Sequence, residues 1–565
     1  MLMIKIKKQQ GKLPMKKTNK KVKQWTILDK IMLLVCGVLC LCGALFMVNM
    51  HKYEILFEYY KDYVPQPLNL TEQEKLEDFA YYYDTMLSSF PMFEDYKEAF
   101  GYDFEEKRKH YEDLIKETES DYEFYCVMRA IVNELPSFHT DLVFPRFAQY
   151  QTLGCYNMTR TLCISEVYPA SIYWDELLES EYDRQEMEGT VYTSYKYING
   201  EYISQKSQGD VLAESKLLAV NGMNIDDYVY ENIFTRANKK YDKQKKKLYL
   251  DTIYMNNRLG EPVTLTLEDV SGNVYYVEAY CETPQSAGYY LDWVYGDKEV
   301  IPSVRGLVYH YIDRENNLGY IELSTFNIMF AEDMEAALNE MKDCDAIILD
   351  LRENSGGLQT VAQESVYPYL FSEDVSLKNK WYMIDSPDNR RIILEDKICL
   401  LFNLKMKRAD KEEIISEKDR SYFSSVRSYR YKGKAEKERE IYVLIGQDTG
   451  SAGDGFAAAL KHTSATIMGD NTYGEGLAKS FTCDYLPNSG LVFCYMFGKG
   501  INEDGTDNSL YGTAPDIYSY ISVEGYHKRD ALLEEEIDPY TYENRLKWDD
   551  TLIEAVKEIT VKLNK

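Results

Sequence analysis

Residues 441–460 contain a short apolar run, a break rich in small residues and an Ala-rich segment, in that order. The run at 441–445 has the length and composition of a buried strand, and the segment after Ser451 consists of good helix formers. The hydroxyl of Ser451 is therefore expected at the start of a helix, beside unpaired backbone N–H groups. This unit indicates an α/β sheet. A serine beside free amide donors suits acyl transfer, although a serine that caps a helix gives the same pattern.

The sequence after residue 300 alternates between strand-like and helix-like segments. Strands are predicted at 319–323, 346–351, 441–446, 466–469, around 481 and at 491–495. Helices are predicted at 331–342, 360–370 and 452–462, and at 547–563 near the C-terminus. A polar insertion occupies residues 373–438. Strands that alternate with helices are typical of an α/β core with partly parallel pairing.

Two regions precede this core. A capping-box pattern at Thr71–Glu74 starts a helical region that extends to residue 135. Residues 146–300 are richer in strand patterns, and within them 215–229 predicts a strand, an Asn-Gly turn and a helix start. This order resembles a PDZ domain, because a further strand pair follows; a generic β-hairpin would give the same turn signal.

The first 50 residues differ in composition from the rest of the chain. Residues 1–30 hold ten Lys and one Asp, a local charge of +9, whereas the whole chain of 565 residues carries −28. Residues 31–50 include an apolar run of about 18 residues, which is close to the length that spans a bilayer. The Lys-rich flank predicts a single-pass anchor with a cytoplasmic N-terminus and an extracytoplasmic body; a cleaved signal peptide is the alternative. The acidic body argues against nucleic-acid binding.

Two more stretches contain residues suited to catalysis. Asp350–Gly357 ends a predicted strand with two glycines, whose N–H groups are able to face an anion, although a tight turn gives the same pattern. Ligands of open α/β sheets bind at the carboxyl ends of the strands, so this stretch and Ser451 are expected at one edge. The third feature is His139, in a short loop. The other five histidines lie in segments less suited to catalysis: His51, His110, His310, His462 and His527.

Four ordered motifs resemble those of the tail-specific (C-terminal processing) serine proteases and the related tricorn core protease. They are DLRENSGG at Asp350–Gly357, SAGDGFAAAL at Ser451–Leu460, GDNTYGEG at Gly469–Gly476 and GTAPDI at Gly512–Ile517. The helical, PDZ-like and α/β regions also come in the family's order, so the resemblance covers residues 70–545. It implies a ClpP/crotonase-like core with Ser451 as nucleophile. It also implies oxyanion donors at the N–H of Ala452 and of Gly356 or Gly357.

The sequence departs from the processing proteases where they place their general base. Their lysine in the third motif is replaced here by Glu475, and a carboxylate, with a reference pKa of ~4.3, is a weak base toward a serine hydroxyl. The tricorn branch of the resemblance implies a histidine from the preceding helical region, a place that His139 matches. An acid should orient that histidine. Glu475 is preferred for this role over Asp507, which lies near the position of the acid in tricorn-like chains.

The sequence therefore predicts an α/β (α+β) multidomain, membrane-anchored serine endopeptidase that cleaves peptides or protein tails. The alternatives are a catalytically inactive protein of the same fold that binds peptides or small ligands, and an anchored scaffold. No cofactor or metal is expected, because the eleven cysteines show no metal-ligand spacing. Neither the oligomeric state nor the disulfide pattern is indicated. The predicted parts are a basic cytoplasmic segment (1–30), a transmembrane anchor (31–50), a linker (51–70), a helical domain (71–145), a β-rich region with a PDZ-like domain (146–300), the protease core (301–525) and a C-terminal helical segment (526–565).

Overall fold

The computed structural model divides the chain after Val64, and the elements named below belong to the unit Pro65–Lys565. The described residues are 59–60, 63–137, 139–148, 164–182, 188–191, 195–204, 207, 209–233, 239–242, 244–250, 253, 255–258, 260–281, 307–392, 412–417, 420–478 and 481–563. Within these ranges no helix has the length and apolar character needed to cross a membrane. The predicted anchor at 31–50 lies outside them.

The helical region begins with the predicted capping box. The Thr71 hydroxyl accepts the Glu74 N–H, and the Glu74 carboxylate accepts the Thr71 N–H. The helices that follow are α1 (Glu72–Ser89), α2 (Phe93–Phe100), α3 (Arg108–Lys116), α4 (Asp121–Asn133), α5 (Ile164–Tyr182), α6 (Ile225–Ile233), α7 (Ala331–Glu340), α8 (Gln359–Val361), α9 (Tyr367–Leu370), α10 (Ala452–Leu460), α11 (Asn508–Tyr511), α12 (Val523–Glu534), α13 (Tyr542–Arg545) and α14 (Asp550–Leu563). A π-helical turn, Ala362–Val366, joins α8 to α9, and short 3-10 turns occupy Glu105–Lys107 and Ile328–Phe330.

The strands are numbered in chain order. The first group is β1 (Asp141–Leu142), β2 (Glu188–Val191), β3 (Tyr195–Ile198), β4 (Glu201–Ser204), β5 (Lys216–Val220), β6 (Met223–Asn224), β7 (Lys239–Asp242), β8 (Lys247–Leu250), β9 (Met255–Arg258), β10 (Pro262–Glu268) and β11 (Val274–Tyr280). The second group is β12 (Val308–Asp313), β13 (Leu318–Leu323), β14 (Ala346–Asp350), β15 (Val375–Ile384), β16 (Glu412–Glu417), β17 (Arg420–Tyr431), β18 (Glu440–Ile445), β19 (Thr466–Gly469), β20 (Phe481–Tyr485), β21 (Val492–Met496), β22 (Lys499–Ile501) and β23 (Ile517–Tyr518).

The central sheet has the strand order β12-β13-β14-β18-β19-β23. β12 is antiparallel to β13, and each of the other neighbouring pairs is parallel. Parallel strands place their carboxyl ends at one edge of a sheet, so the loops after β13, β14, β18 and β19 meet there. The predicted α/β core is confirmed, and its topology brings three of the four motifs to the same edge.

β14 is buried on both faces of this sheet. Ile347 and Leu349 pack in the cluster that contains residues of α7 and α10, whereas Ala346 and Ile348 pack with residues of α14. Each fully buried aliphatic side chain of this size stabilises the fold by roughly 1.5–3 kcal/mol relative to exposure. A strand covered by helices on both sides needs apolar residues at every position, which explains the continuous apolar run.

The β-rich region contains a sheet with the order β11-β10-β5-β4-β3. The predicted Asn-Gly turn joins β5 to β6, and Asn221 and Gly222 have φ of 50° and 79°. Two positive φ values in succession favour Asn-Gly in a tight turn. α6 follows β6 directly, so the predicted order of strand, turn and helix is confirmed, whereas the PDZ-like assignment and the domain boundaries stay predictions.

The polar insertion at 373–438 is more ordered than its composition indicates. β15 pairs antiparallel with β17 along its whole length, from Val375 to Ile384. Along β15, Leu377 and Trp381 are buried while Lys378 and Lys380 are exposed. A period of two residues is the pattern of a half-buried strand, and the alternating lysines concealed it.

A disulfide lies in the small sheet β1-β21-β20. Cys483 of β20 is directly opposite Cys494 of β21, and their sulfurs are bonded. Asp141 of β1 lies opposite Cys494 on the other side. The strand that follows His139 is therefore paired with a cross-linked hairpin.

Candidate active site

Ser451 lies in the sharp turn between β18 and α10. Its backbone has φ of 50° and ψ of −120°, a conformation that residues with a side chain rarely adopt. The Ser451 N–H donates to the Gly474 carbonyl at 2.9 Å, and the Gly455 N–H donates to the Ser451 carbonyl at 2.9 Å. The Ser451 side chain makes no capping hydrogen bond to α10 within the described structure, so it is not a helix cap. Backbone strain held in place in this way is typical of functional positions.

The glycine turn after β14 packs directly against Ser451. A Cβ on Gly356 would lie 2.7 Å from Ser451 Cβ, so the close approach requires glycine. The Gly356 N–H donates to Asn354 Oδ1 at 2.9 Å. Among the described residues, no acceptor is hydrogen-bonded to the N–H of Gly357 or Ala452. Of the predicted oxyanion donors, the geometry therefore favours Ala452 and Gly357, and Gly356 serves to make room.

His139 lies in the loop between α4 and β1, and its imidazole contacts a buried carboxylate. Its Nδ1 is 2.5 Å from Oε2 of Glu475, a residue 336 positions away in the chain. The Glu475 side chain is fully buried, and the His139 side chain is 14% exposed. The ring of Phe481 stacks on the imidazole with a centroid distance of 5.2 Å. The imidazole thus has a carboxylate at its edge and an aromatic ring on its face.

One loop connects this pair to Ser451. Gly474, which accepts the Ser451 N–H, immediately precedes Glu475. Gly450 and Gly474 form an isolated β-bridge, which fixes the two segments side by side. The loop after β19 therefore brings Glu475, and with it His139, to the turn that carries Ser451.

Asp454, a residue of α10, is hydrogen-bonded to the same loop. Its Oδ2 accepts the Gly476 N–H at 2.9 Å, and its Oδ1 accepts the hydroxyls of Thr472 and Thr513 at 2.5 and 2.6 Å. Burial raises the pKa of Asp454, and these hydrogen bonds oppose that rise. A buried carboxyl with this many partners rigidifies the segments it joins.

Asp507, the other candidate for the third role, has different surroundings. Its Oδ1 accepts the Ser509 N–H at 2.7 Å, as the cap of α11. Its Oδ2 has no hydrogen-bond partner within the described part of the chain, so neither oxygen bonds His139. The geometry therefore favours Glu475. Of the two nearby lysines, Lys461 pairs with Asp516, and Lys479 lies outside the described residues.

Comparison with known proteins gives a family match over part of the chain. The model of peptidase family S41 matches residues 317–519. The chain carries an S41 peptidase domain. The chain is 27% identical over 167 residues to a carboxyl-terminal-processing protease of Synechocystis sp., covering 29% of this chain and 30% of the relative. It is 25% identical over 209 residues to a tail-specific protease of Haemophilus influenzae, covering 36% and 24%.

These relatives confirm the predicted resemblance, and the chain spans about a third or less of their length. Among solved structures, a mutant of CPAF aligns with a TM-score of 0.50 at 13% identity, covering 87% of this chain and 98% of that chain. This likeness concerns the fold alone. It agrees with the mixed α/β architecture of the S41 domain.

The first of the four motifs, Asp350–Gly357, also contains residues that stabilise the fold. Arg352 donates to Asp350 and to Asp549, both at 2.6 Å, and all three side chains are largely buried. Burial would raise the pKa of Asp350, but the charge and hydrogen bonds of Arg352 lower this pKa well below its usual value. Arg545 adds contacts to Asp549 and Glu322. The motif therefore ties the C-terminal helices to the central sheet.

Three residues of the site were missed in the sequence. Asp454 is a charged residue in an otherwise apolar, Ala-rich segment, and that contrast is a usable signal. Asn354 donates through Nδ2 to the Leu323 carbonyl at 2.8 Å and so fixes the glycine turn. Its signal is an asparagine two residues before a glycine pair. Phe481 gave no signal, because only the folded chain brings it to His139.

Proposed function

We propose that this protein is a serine endopeptidase in which Ser451 attacks the scissile carbonyl, His139 is the general base and Glu475 orients the base. The observation that carries the proposal is the 2.5 Å contact between His139 and Glu475, on the loop that is bonded to Ser451. With the proton of the neutral imidazole on Nδ1, facing the carboxylate, Nε2 is the basic nitrogen.

The contact between His139 and Glu475 also accounts for the absence of the lysine base that the processing proteases use. Glu475 occupies the motif position of the lysine base, and its carboxylate acts through the histidine rather than on the serine. As Nε2 takes the Ser451 proton, the imidazole becomes positive, and a buried carboxylate at 2.5 Å stabilises that charge. The proton then passes to the leaving amine, and water repeats the cycle on the acyl-enzyme.

The developing oxyanion is placed beside the N–H groups of Ala452 and Gly357. Ala452 is the first residue of α10, so its N–H is one of the unpaired donors at a helix start. Gly356, with no side chain, leaves space for the carbonyl oxygen between the two segments. Removing one such donor from a protease costs about 2.7–4 kcal/mol of transition-state stabilisation.

The cellular setting belongs to the same proposal. Residues 31–50 anchor the chain in the cell membrane, with residues 1–30 cytoplasmic and the S41 domain outside. The Cys483–Cys494 disulfide supports this setting, because disulfides persist in oxidising compartments. The substrate is a peptide or a protein tail, in keeping with the names of the relatives. The β-rich region contributes a PDZ-like peptide-binding sheet.

Cleavage of unfolded casein by the purified chain tests the proposal. We expect turnover with the parent protein, and loss of turnover with Ser451→Ala and with His139→Ala. His110→Ala is the matched control, because His110 is exposed on α3, and it should cleave normally. Equal cleavage by Ser451→Ala and the parent would reject Ser451 as the nucleophile, and no cleavage by the parent would favour the binding protein of the same fold.

A further inference from the structure

A cavity of about 930 Å³ opens beside α2, β15 and the hairpin that follows β22. Its lining includes Asp95 of α2, Lys499 of β22 and Asp507. Four tyrosines line it as well: Tyr382, Tyr422, Tyr511 and Tyr518. Neither Ser451 nor His139 is among the lining residues. Its volume is that of a pocket for a side chain or a small molecule.

The feature that singles out this cavity is the unused oxygen of Asp507. The residue is 6% exposed. Its Oδ1 is occupied by the Ser509 N–H at 2.7 Å, whereas its Oδ2 has no hydrogen-bond partner among the described residues. A buried acceptor without a donor costs about 1–3 kcal/mol, and more when it is charged. Unsatisfied buried groups are few in native folds, and completion by a group from outside the chain is one explanation for such an atom.

The charges around the cavity leave Asp507 without a cation of its own. Lys499 Nζ is 2.7 Å from Asp95 Oδ2, so this lysine is committed to another carboxylate. Two carboxylates therefore share one ammonium group, on a lysine side chain that is 17% exposed. Burial, and then the charge of Asp95, raise the pKa of Asp507 to about 7, and Lys499 opposes this rise. The other cationic side chains in the lining are Lys378, Lys380, Lys461 and His462. Lys461 pairs with Asp516 and His462 contacts Glu503, whereas the two remaining lysines lie on the exposed face of β15.

We propose that the cavity binds a cationic group, an alkylammonium or a guanidinium, with Asp507 Oδ2 as the acceptor. One bound cation would balance the second carboxylate and supply the missing donor, and charge-assisted bonds of this kind are the stronger ones. The Tyr382 ring already holds Lys380 Nζ at 4.8 Å from its centroid. The Tyr422 ring is a second aromatic surface of the cavity and suits a cation, because aromatic rings attract cations. The chemistry fits both the basic side chain of a peptide and a free amine. The proposal does not depend on hydrolysis by Ser451.

Calorimetric titration of the full-length Ser451→Ala protein with arginine amide tests this site. Both amides are Nα-acetylated, so that the guanidinium is the single positive charge of the arginine amide. The acetylated citrulline amide is the neutral comparison, because it has the same shape without that charge. We expect arginine amide to bind with a dissociation constant of about 1 mM or tighter, and citrulline amide to bind at least about tenfold more weakly. Equal binding of the two amides would overturn the proposal, and so would no binding of arginine amide.

Two variants test whether Asp507 Oδ2 is the acceptor of the bound cation. Asp507→Asn keeps an oxygen for the Ser509 N–H and removes the charge, so it should weaken arginine amide binding at least about tenfold. Glu503→Gln removes one charge from the rim of the same cavity, where the Glu503 side chain is 82% exposed, and should change the affinity little. Unchanged binding by Asp507→Asn, or an equal loss with Glu503→Gln, would overturn the assignment.

Two further probes distinguish a peptide side chain from a free amine as the source of the cation. A peptide with an internal arginine should bind if the cavity accepts substrate side chains, and spermidine should bind if it accepts free polyamines. Loss of the peptide signal in Asp507→Asn places the peptide at this site. If neither the peptide nor spermidine binds, the cavity is no cation site. Because the protein used lacks Ser451, these outcomes are independent of whether the chain is a protease.

Discussion

The contact between His139 and Glu475 makes the substitution Glu475→Gln the sharpest perturbation of the site. The two side chains have nearly the same shape, so the loop after β19 should keep its path. The variant removes the negative charge 2.5 Å from Nδ1, at a position where the Glu475 side chain is fully buried. The imidazolium that forms as Ser451 loses its proton is then left without its counter-charge.

The size of the effect follows from this geometry. A hydrogen bond to a charged group contributes about 1.5–3 kcal/mol. Each ~1.36 kcal/mol of transition-state stabilisation is worth tenfold in rate. Glu475→Gln should therefore slow the reaction of Ser451 by roughly 10- to 150-fold.

The second-order rate of labelling by a fluorophosphonate probe measures this effect without knowledge of the substrate. Glu503→Gln, which removes an exposed carboxylate elsewhere in the S41 domain, should label at the parent rate. A rate for Glu475→Gln within about threefold of the parent would refute the assignment of Glu475 as the orienting group. So would an equal loss of rate in the two variants.

Four further outcomes are expected. Ser451→Gly should be more stable than Ser451→Ala by about 1 kcal/mol, seen as a higher midpoint of thermal unfolding, because φ of 50° combined with ψ of −120° is unstrained only for glycine; an identical midpoint would contradict this. Arg352→Met should destabilise the S41 domain by roughly 3–5 kcal/mol in urea unfolding, because it leaves two buried carboxylates uncompensated; a loss below about 1 kcal/mol would argue against the network. Asp507→Asn should gain stability over the parent as pH rises from about 4 to about 8, by up to ~4 kcal/mol, because the folded protein holds the Asp507 proton to about pH 7; a gain independent of pH would contradict this. Phe481→Leu should slow fluorophosphonate labelling by about 2- to 10-fold, because it removes the ring stacked on His139; labelling at the parent rate would give Phe481 no positioning role.

The core of the fold could be predicted from the sequence because each of its segments has a local residue pattern that indicates its environment. The apolar run of β14 and the break before α10 each contain their own signal, and parallel pairing then requires their carboxyl ends to meet. The long strands β15 and β17 were not predicted, because alternating lysines on an exposed face resemble a solvated insertion. The cross-strand disulfide depends on register, which spacing along the chain does not reveal.

The residues of the candidate site also fall into those that the sequence indicated and those that it did not. Ser451 and the glycine turn lie in contiguous motifs, so sequence alone identified them. The contact of His139 with Glu475 joins two loops 336 residues apart, and only the resemblance to a family indicated it beforehand. Which glycine keeps a free N–H was not predictable, because the hydrogen bond from Gly356 to the Asn354 side chain decides it.

Peptide mapping of the fluorophosphonate adduct tests the central claim most directly. The claim is that Ser451 is a nucleophile activated by His139. The adduct should lie on Ser451 in the parent protein, and His139→Ala should abolish or strongly slow its formation while His110→Ala leaves it unchanged. An adduct on another residue, or labelling of Ser451 at the parent rate in His139→Ala, would contradict the claim.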